Sequence, residues 1–153
     1  MADRALGYAH RIDVRAPQQE LWRGLIEPAL VAQWYAPGAR ISARDGGSYW
    51  IRADKDLERE AHIDVYLPPR RLRLIYMAPR DMPATNSVMV DDFILDTVGG
   101  GAVLRLLGSG YPDSEAWEPF YLRMRDGWGR ALQRLKIVTE KRLREVAVGG
   151  AKA

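Results

Sequence analysis

Residues 119–146, PFYLRMRDGWGRALQRLKIVTEKRLREV, are the stretch whose reading decides the fold. Tyr121, Met124, Trp128, Leu132, Leu135 and Val138 recur at spacings of three and four, which puts them on one helix face. The pattern predicts one long helix, starting at Ser114 or Pro119 and ending near Val146. It follows Gly110-Tyr111-Pro112. A helix with a single apolar stripe needs a surface to bury it against.

The preceding sequence supplies that surface as strands. Tyr8, His10, Ile12 and Val14 alternate with Ala9, Arg11 and Asp13, so Tyr8–Val14 reads as a half-buried strand. Ala16-Pro17 opens a helix whose apolar positions are Leu21, Trp22, Leu25 and Ile26. Pro28 ends it, and a second short helix runs through Leu30, Val31 and Trp34 to Pro37-Gly38. Strands are expected at Arg40–Arg44 and Ser48–Ala53 around Asp45-Gly46-Gly47, at Ala61–Leu67 up to Pro68-Pro69, and at Leu72–Met77. Two more, Val88–Asp96 and Ala102–Gly108, flank Gly99-Gly100-Gly101. Ala78–Asn86, with Pro79 and Pro83, reads as a longer loop. The expected class is α+β, with the terminal helix across one face of an antiparallel sheet. No repeat or linker interrupts it, so residues 1–153 are expected as one domain, its core at about 8–146 and 147–153 a flexible tail.

Composition narrows the chemistry. The chain has 153 residues, 47% hydrophobic and 28% charged, a balance unlike disordered or fibrous proteins. It has no cysteine, which excludes disulfides and thiolate chemistry, and only His10 and His62, which disfavours a histidine metal site. No metal or cofactor is expected. Five Trp and seven Tyr stand against two Phe, and such side chains suit pocket walls as well as cores. Residues 119–153 carry nine basic and three acidic side chains, but Glu140 and Glu145 interrupt the basic run as on a solvated helix face. No nucleic-acid motif accompanies it, so no nucleic-acid partner is expected. Met1–His10 holds no apolar run of a secretory signal, and no stretch nears the roughly 18 apolar residues of a membrane span. The expectation is a cytoplasmic protein without membrane insertion.

Isolated acid/base groups are the remaining catalytic candidates: His10, Asp91 and Asp92. His10 falls on the apolar side of the first strand, where it serves either as a general base or as a hydrogen-bonded core histidine. In Val88–Leu95 either register sets Asp91 or Asp92 among apolar neighbours. A buried carboxylate needs a partner or a raised pKa, and Arg105 on the next strand is the expected partner. The two readings are a polar anchor inside a cavity and a structural ion pair. His62 and Asp64 share the polar face of their strand and are expected at the surface. No Ser–His–Asp order or phosphate loop is present, and Gly99-Gly100-Gly101 is a turn.

Several short motifs together resemble the START-like, helix-grip superfamily, and within it the group related to the C-terminal domain of the Hsp90 ATPase activator. The first is Pro17, Trp22, Leu25 and Pro28 followed by Trp34. Next come Asp45-Gly46-Gly47-Ser48-Tyr49 and Pro68-Pro69-Arg70-Arg71-Leu72. Last are Ser109-Gly110-Tyr111 and Gly127-Trp128 with Leu132 and Leu135. Ala102 departs from the Thr often found beside the last hairpin, which alters rim polarity. The resemblance implies a curved antiparallel sheet gripping the C-terminal helix around a hydrophobic cavity. By parity, Ile41, Ala43, Tyr49, Ile51, Ile63, Val65, Leu72, Leu74, Tyr76, Leu104 and Leu106 would line it from the sheet. Tyr121, Met124 and Trp128 would do so from the helix, with Gly127 and Gly129 permitting close approach, and Trp34 and Tyr35 would close one end. The resemblance implies three kinds of function: binding of a small hydrophobic or amphipathic molecule, a cyclase- or dehydratase-type enzyme, or a chaperone-interaction module. Exposed strand edges and surplus aromatics add a homodimer as an expectation.

Overall fold

A computed structural model describes residues 4–151 of the protein. Its elements are β1 (Ala5–Val14), α1 (Gln18–Ile26), α2 (Pro28–Trp34), β2 (Gly38–Ile41), β3 (Ser48–Asp54) and β4 (Leu57–Leu67). They continue with β5 (Arg71–Tyr76), β6 (Val90–Val98), β7 (Gly101–Pro112) and α3 (Glu118–Ala151). The strands form one antiparallel sheet in the order β1-β7-β6-β5-β4-β3-β2. The chain thus runs up one edge, crosses through α1 and α2 to the other, and returns by meander to pair β7 with β1. This is the α+β helix-grip architecture, a curved sheet holding the long helix α3. Among the described residues no helix is long and apolar enough to cross a membrane.

The apolar stripe of α3 does what its spacing requires. Met124, Trp128, Ala131, Leu132 and Leu135 are buried against the sheet and the short helices, while Ile137 on the opposite face is 60% exposed. Fully burying side chains the size of Met124, Leu132 and Leu135 stabilises by about 1.5–3 kcal/mol each. Polar ties fix the helix in place. His10 Nε2 lies 2.8 Å from the Arg125 carbonyl oxygen, Arg134 Nε donates to the Trp34 carbonyl at 2.9 Å, and Arg142 Nη2 donates to the Glu20 carbonyl at 3.1 Å. Gly24 lets α1 approach α3: a Cβ there would stand 3.0 Å from Leu135 Cδ1. Of the two glycines beside Trp128, Gly129 packs on His10 and Gly127 faces open space, so only Gly129 serves close approach.

Boundaries shift where turns carry no glycine. β4 begins at Leu57, four residues before the expected Ala61, because the β3–β4 turn is closed by the Asp56 N–H on the Asp54 carboxylate at 2.7 Å. β2 ends at Ile41, and Ala43, expected as a strand residue lining the cavity, is exposed in the loop that follows. A bulge between Ile63 and Val65 reverses the parity of β4, so Tyr66 turns in against Trp22 and Val65 pairs with Arg73 instead of lining the interior. The helix runs to Ala151, so of the expected tail 147–153 residues 147–151 are helical, and 152–153 lie outside the described residues.

Candidate functional site

One inward-facing row crosses the sheet. Tyr8 of β1, Gly108 of β7, Asp91 of β6 and Leu74 of β5 are successive cross-strand neighbours. Gly108 decides what the row can do. A Cβ at that position would stand 2.2 Å from Tyr8 Cζ, so only a residue without a side chain lets the Tyr8 ring lie across β7. From there the Tyr8 hydroxyl donates to Asp91 Oδ1, and its oxygen lies 3.2 Å from the Tyr111 hydroxyl.

Asp91 is 0% exposed. Burial raises its carboxyl above the usual range. The Arg59 charge and the nearby polar groups of Tyr76, Tyr8 and Trp128 pull the other way without reversing it. Asp92 faces outward and takes both arms of Arg71, at 3.0 and 2.8 Å. The alternation of the strand therefore separates the two carboxylates: one structural pair near the surface, one buried acid. The buried acid's cation is Arg59, not Arg105, which pairs with Asp96 at 3.1 Å on the outer face.

Arg59 enters from β4, 5% exposed. Its guanidinium lies 3.5 Å from the Tyr76 ring centroid and 5.5 Å from that of Phe120. These ring faces offset part of the cost of removing the charge from water. Nη1 stands 3.8 Å from Asp91 Oδ2, close enough for attraction but too far for a hydrogen bond. Burial opposes the Arg59 charge, and its Tyr111, Tyr76 and Asp91 neighbours outweigh that effect, so its proton is held more tightly than usual. Tyr35 stacks on Trp128 with ring centroids 4.5 Å apart, and Tyr49 donates to the Leu25 carbonyl at 2.6 Å. Burial raises the phenols of Tyr8, Tyr35, Tyr49, Tyr76 and Tyr111, which all stay neutral near pH 7.

The cluster is incompletely hydrogen-bonded. Arg59 Nη1 and Nη2, Asp91 Oδ2, Tyr35 Oη and Trp128 Nε1 are buried without a hydrogen-bond partner among the described residues. Each such group costs about 1–3 kcal/mol, and native interiors pair nearly all of them. Around the cluster the side chains are packed. Trp34, Ile51, Ile63, Leu72, Leu74, Leu104, Leu106 and Met124, expected as cavity wall, belong to one buried core. Open volume lies at the end of the sheet instead. One groove of about 750 Å³ is lined by Arg4, 83–87 and Trp117, and another of about 400 Å³ by Leu6, Glu118, Tyr121 and Leu122. Aromatic rings separate both from the cluster: Phe120 and Tyr121 each lie within 6.0 Å of Tyr111, and Trp117 meets Phe120 at 5.8 Å.

Among known proteins, the sequence pattern of the activator of Hsp90 ATPase homolog 1-like proteins matches residues 15–140. The chain belongs to that family. Solved structures share its fold. A Mesorhizobium loti protein, MLL2253, is 21% identical with a TM-score of 0.77, covering 90% of this chain and 98% of its own. The Aha1 dimer of Colwellia psychrerythraea is 17% identical with a TM-score of 0.76, covering 88% and 96%. CalU16 of Micromonospora echinospora is 19% identical with a TM-score of 0.67, covering 97% and 93%. No curated protein matches the chain in sequence.

In this Hsp90-activator-like chain the matched span holds Arg59, Tyr76, Asp91, Tyr111 and Trp128, whereas Tyr8 lies before it. Of the expected site residues, Tyr49, Tyr76, Trp128 and Asp91 come together at the cluster. His10 lies beside it, its ring 5.6 Å from Tyr8, with Nε2 engaged by the helix carbonyl. Ile41 and Tyr121 sit at the rim, and the Tyr121 hydroxyl donates to the Gly7 carbonyl at 2.5 Å. Arg59 is absent from the sequence reading because its strand was expected to start two residues later. The signal was there: Leu57, Arg59, Ala61 and Ile63 alternate in one phase. Among the described residues no three His, Cys, Asp or Glu side chains gather as metal ligands would.

Proposed function

We propose that this protein binds a small amphipathic molecule between the sheet and α3, with the molecule's polar end at the Arg59–Asp91 cluster. The observation that carries this reading is the set of buried polar atoms left without partners, on β4, β6, α3 and the residue after α2, which otherwise pack tightly. A buried ion pair that is not fully hydrogen-bonded is often less stable than a well-packed apolar replacement. A bound molecule that supplied the missing partners would offset that cost. The half-buried rings of Phe120 and Tyr121 at the start of α3 pack on Tyr111, and Tyr121 also lines the smaller groove. Displacing them would open the interior. A tryptophan-fluorescence titration of the folded protein with aromatic and acyl compounds tests this. Saturable quenching with a rise in Tm is expected, since Trp34 and Trp128 border the site. A broad panel giving neither overturns the reading.

The Tyr8–Asp91 hydrogen bond favours a second reading, an acid/base enzyme of the cyclase or dehydratase type in which the buried carboxyl gives up a proton. It requires that Asp91→Asn abolish turnover while binding persists. Family membership favours a third, a chaperone-interaction module. That one requires capture of Hsp90 and a changed ATPase rate, and an unchanged rate with no capture removes it.

A further inference from the structure

We infer that the molecule bound here carries a carboxylate, held by the two terminal nitrogens of Arg59; this rests on the binding reading above. The argument is an inventory of donors and acceptors. Arg59 Nη1 and Nη2 and Trp128 Nε1 can only donate, and the Tyr35 hydroxyl can donate as well. Against these stands one unpartnered acceptor, Asp91 Oδ2, lying 3.8 Å from Nη1. The deficit is therefore in acceptors, and an apolar or donor-bearing molecule leaves it unfilled.

Shape narrows the acceptor further. The Tyr76 ring covers the guanidinium face at 3.5 Å, so the plane's edge, with Nη1 and Nη2, is what remains for a ligand. Two parallel N–H groups on a planar fork match the two oxygens of a planar carboxylate. A phosphate or sulfate brings more charge and more oxygens than one guanidinium and two neutral donors can satisfy. Burial raises the Asp91 carboxyl, which lessens its opposition to an incoming anion. The ligand's body would then lie along Trp128 and Phe93, whose rings meet edge to face at 5.6 Å.

Two matched probe pairs test the inference by calorimetry on the full chain: 2-naphthoate against 2-naphthalenemethanol, and decanoate against decanol. The acid of at least one pair is expected to bind at least tenfold tighter than its alcohol. That preference should persist in 0.5 M NaCl, which screens attraction to the basic surface far more than a buried contact. Arg59→Lys keeps a charge and loses the fork, and should reduce the preference to threefold or less while alcohol binding is retained. Equal binding of acid and alcohol overturns the carboxylate inference and leaves the amphipathic-ligand reading standing. So does a preference that salt abolishes, or one that a folded Arg59→Lys protein retains in full. Where Arg59→Lys does not fold, the wild-type acid–alcohol comparison in high salt decides. Failure of all four probes to bind overturns the carboxylate inference, while the reading beneath it stands or falls with the broad fluorescence panel.

Discussion

Asp91 shows how one residue's environment becomes a measurable property. Its carboxyl is raised above its ordinary value of 3.8 by burial, so the folded chain holds that proton more tightly than the unfolded chain. The stability this contributes is full below 3.8 and is lost as pH rises through the folded value. Subtracting the unfolding free energy of Asp91→Asn from that of the wild type cancels the other titrating groups. The difference should fall as pH rises above about 4 in urea titrations. A difference that grows with pH would mean that attraction to Arg59 outweighs burial. Gly108 makes a second prediction. Gly108→Ala must push the Tyr8 ring aside and break its bond to Asp91, at a cost of about 2 kcal/mol or more. In a Tyr8→Ala background the same change should cost far less, because the overlap is gone. Equal costs in both backgrounds would show that the ring is not what Gly108 accommodates. Nothing in the sequence marked Gly108 this way, since the pairing of Tyr8 with Gly108 is a long-range register.

At the scale of elements, α3 was legible because its apolar positions follow one period without interruption. Leu135 is 0% exposed and Ile137, two residues on, is 60% exposed. Leu135→Ala should therefore cost about 2–5 kcal/mol, and Ile137→Ala within about 0.5 kcal/mol of nothing, as read by chemical denaturation. Similar losses at both would place the helix in a different rotation. The strands were legible in order but not in phase. A hairpin closed by Asp54 rather than by glycine hid the first four residues of β4, and with them Arg59. The bulge after Ile63 reversed Val65 and Tyr66, because a period of two has no memory across an inserted residue. Asp91 against Asp92 was ambiguous for the same reason: alternation says that one faces in, and only the pairing with Gly108 and Leu74 says which.

For the whole molecule, the question is where a ligand goes when the interior is packed and the open grooves lie beyond a row of rings. Mass action and hydrogen exchange answer it together. A ligand at a hundredfold excess over its Kd stabilises by about 2.7 kcal/mol. At about 2–4 °C per kcal/mol for a chain of this size, the expected rise in Tm is about 5–10 °C. An interior ligand must also slow exchange where it adds contacts: around Arg59 in β4, Asp91 in β6, and the α3 segment from Phe120 to Trp128. A groove ligand would instead protect 83–87 and 112–117, which line the larger opening. Both outcomes raise Tm, so the rise alone does not choose between them; the map of protection does. Slowed exchange confined to 83–87 and 112–117 would move the binding site to the surface. The Arg59–Asp91 cluster would then be a structural ion pair held at a cost in stability. Protection at β4, β6 and the first turns of α3 would place the ligand between the sheet and the helix, beside the Phe120 and Tyr121 rings that pack on Tyr111.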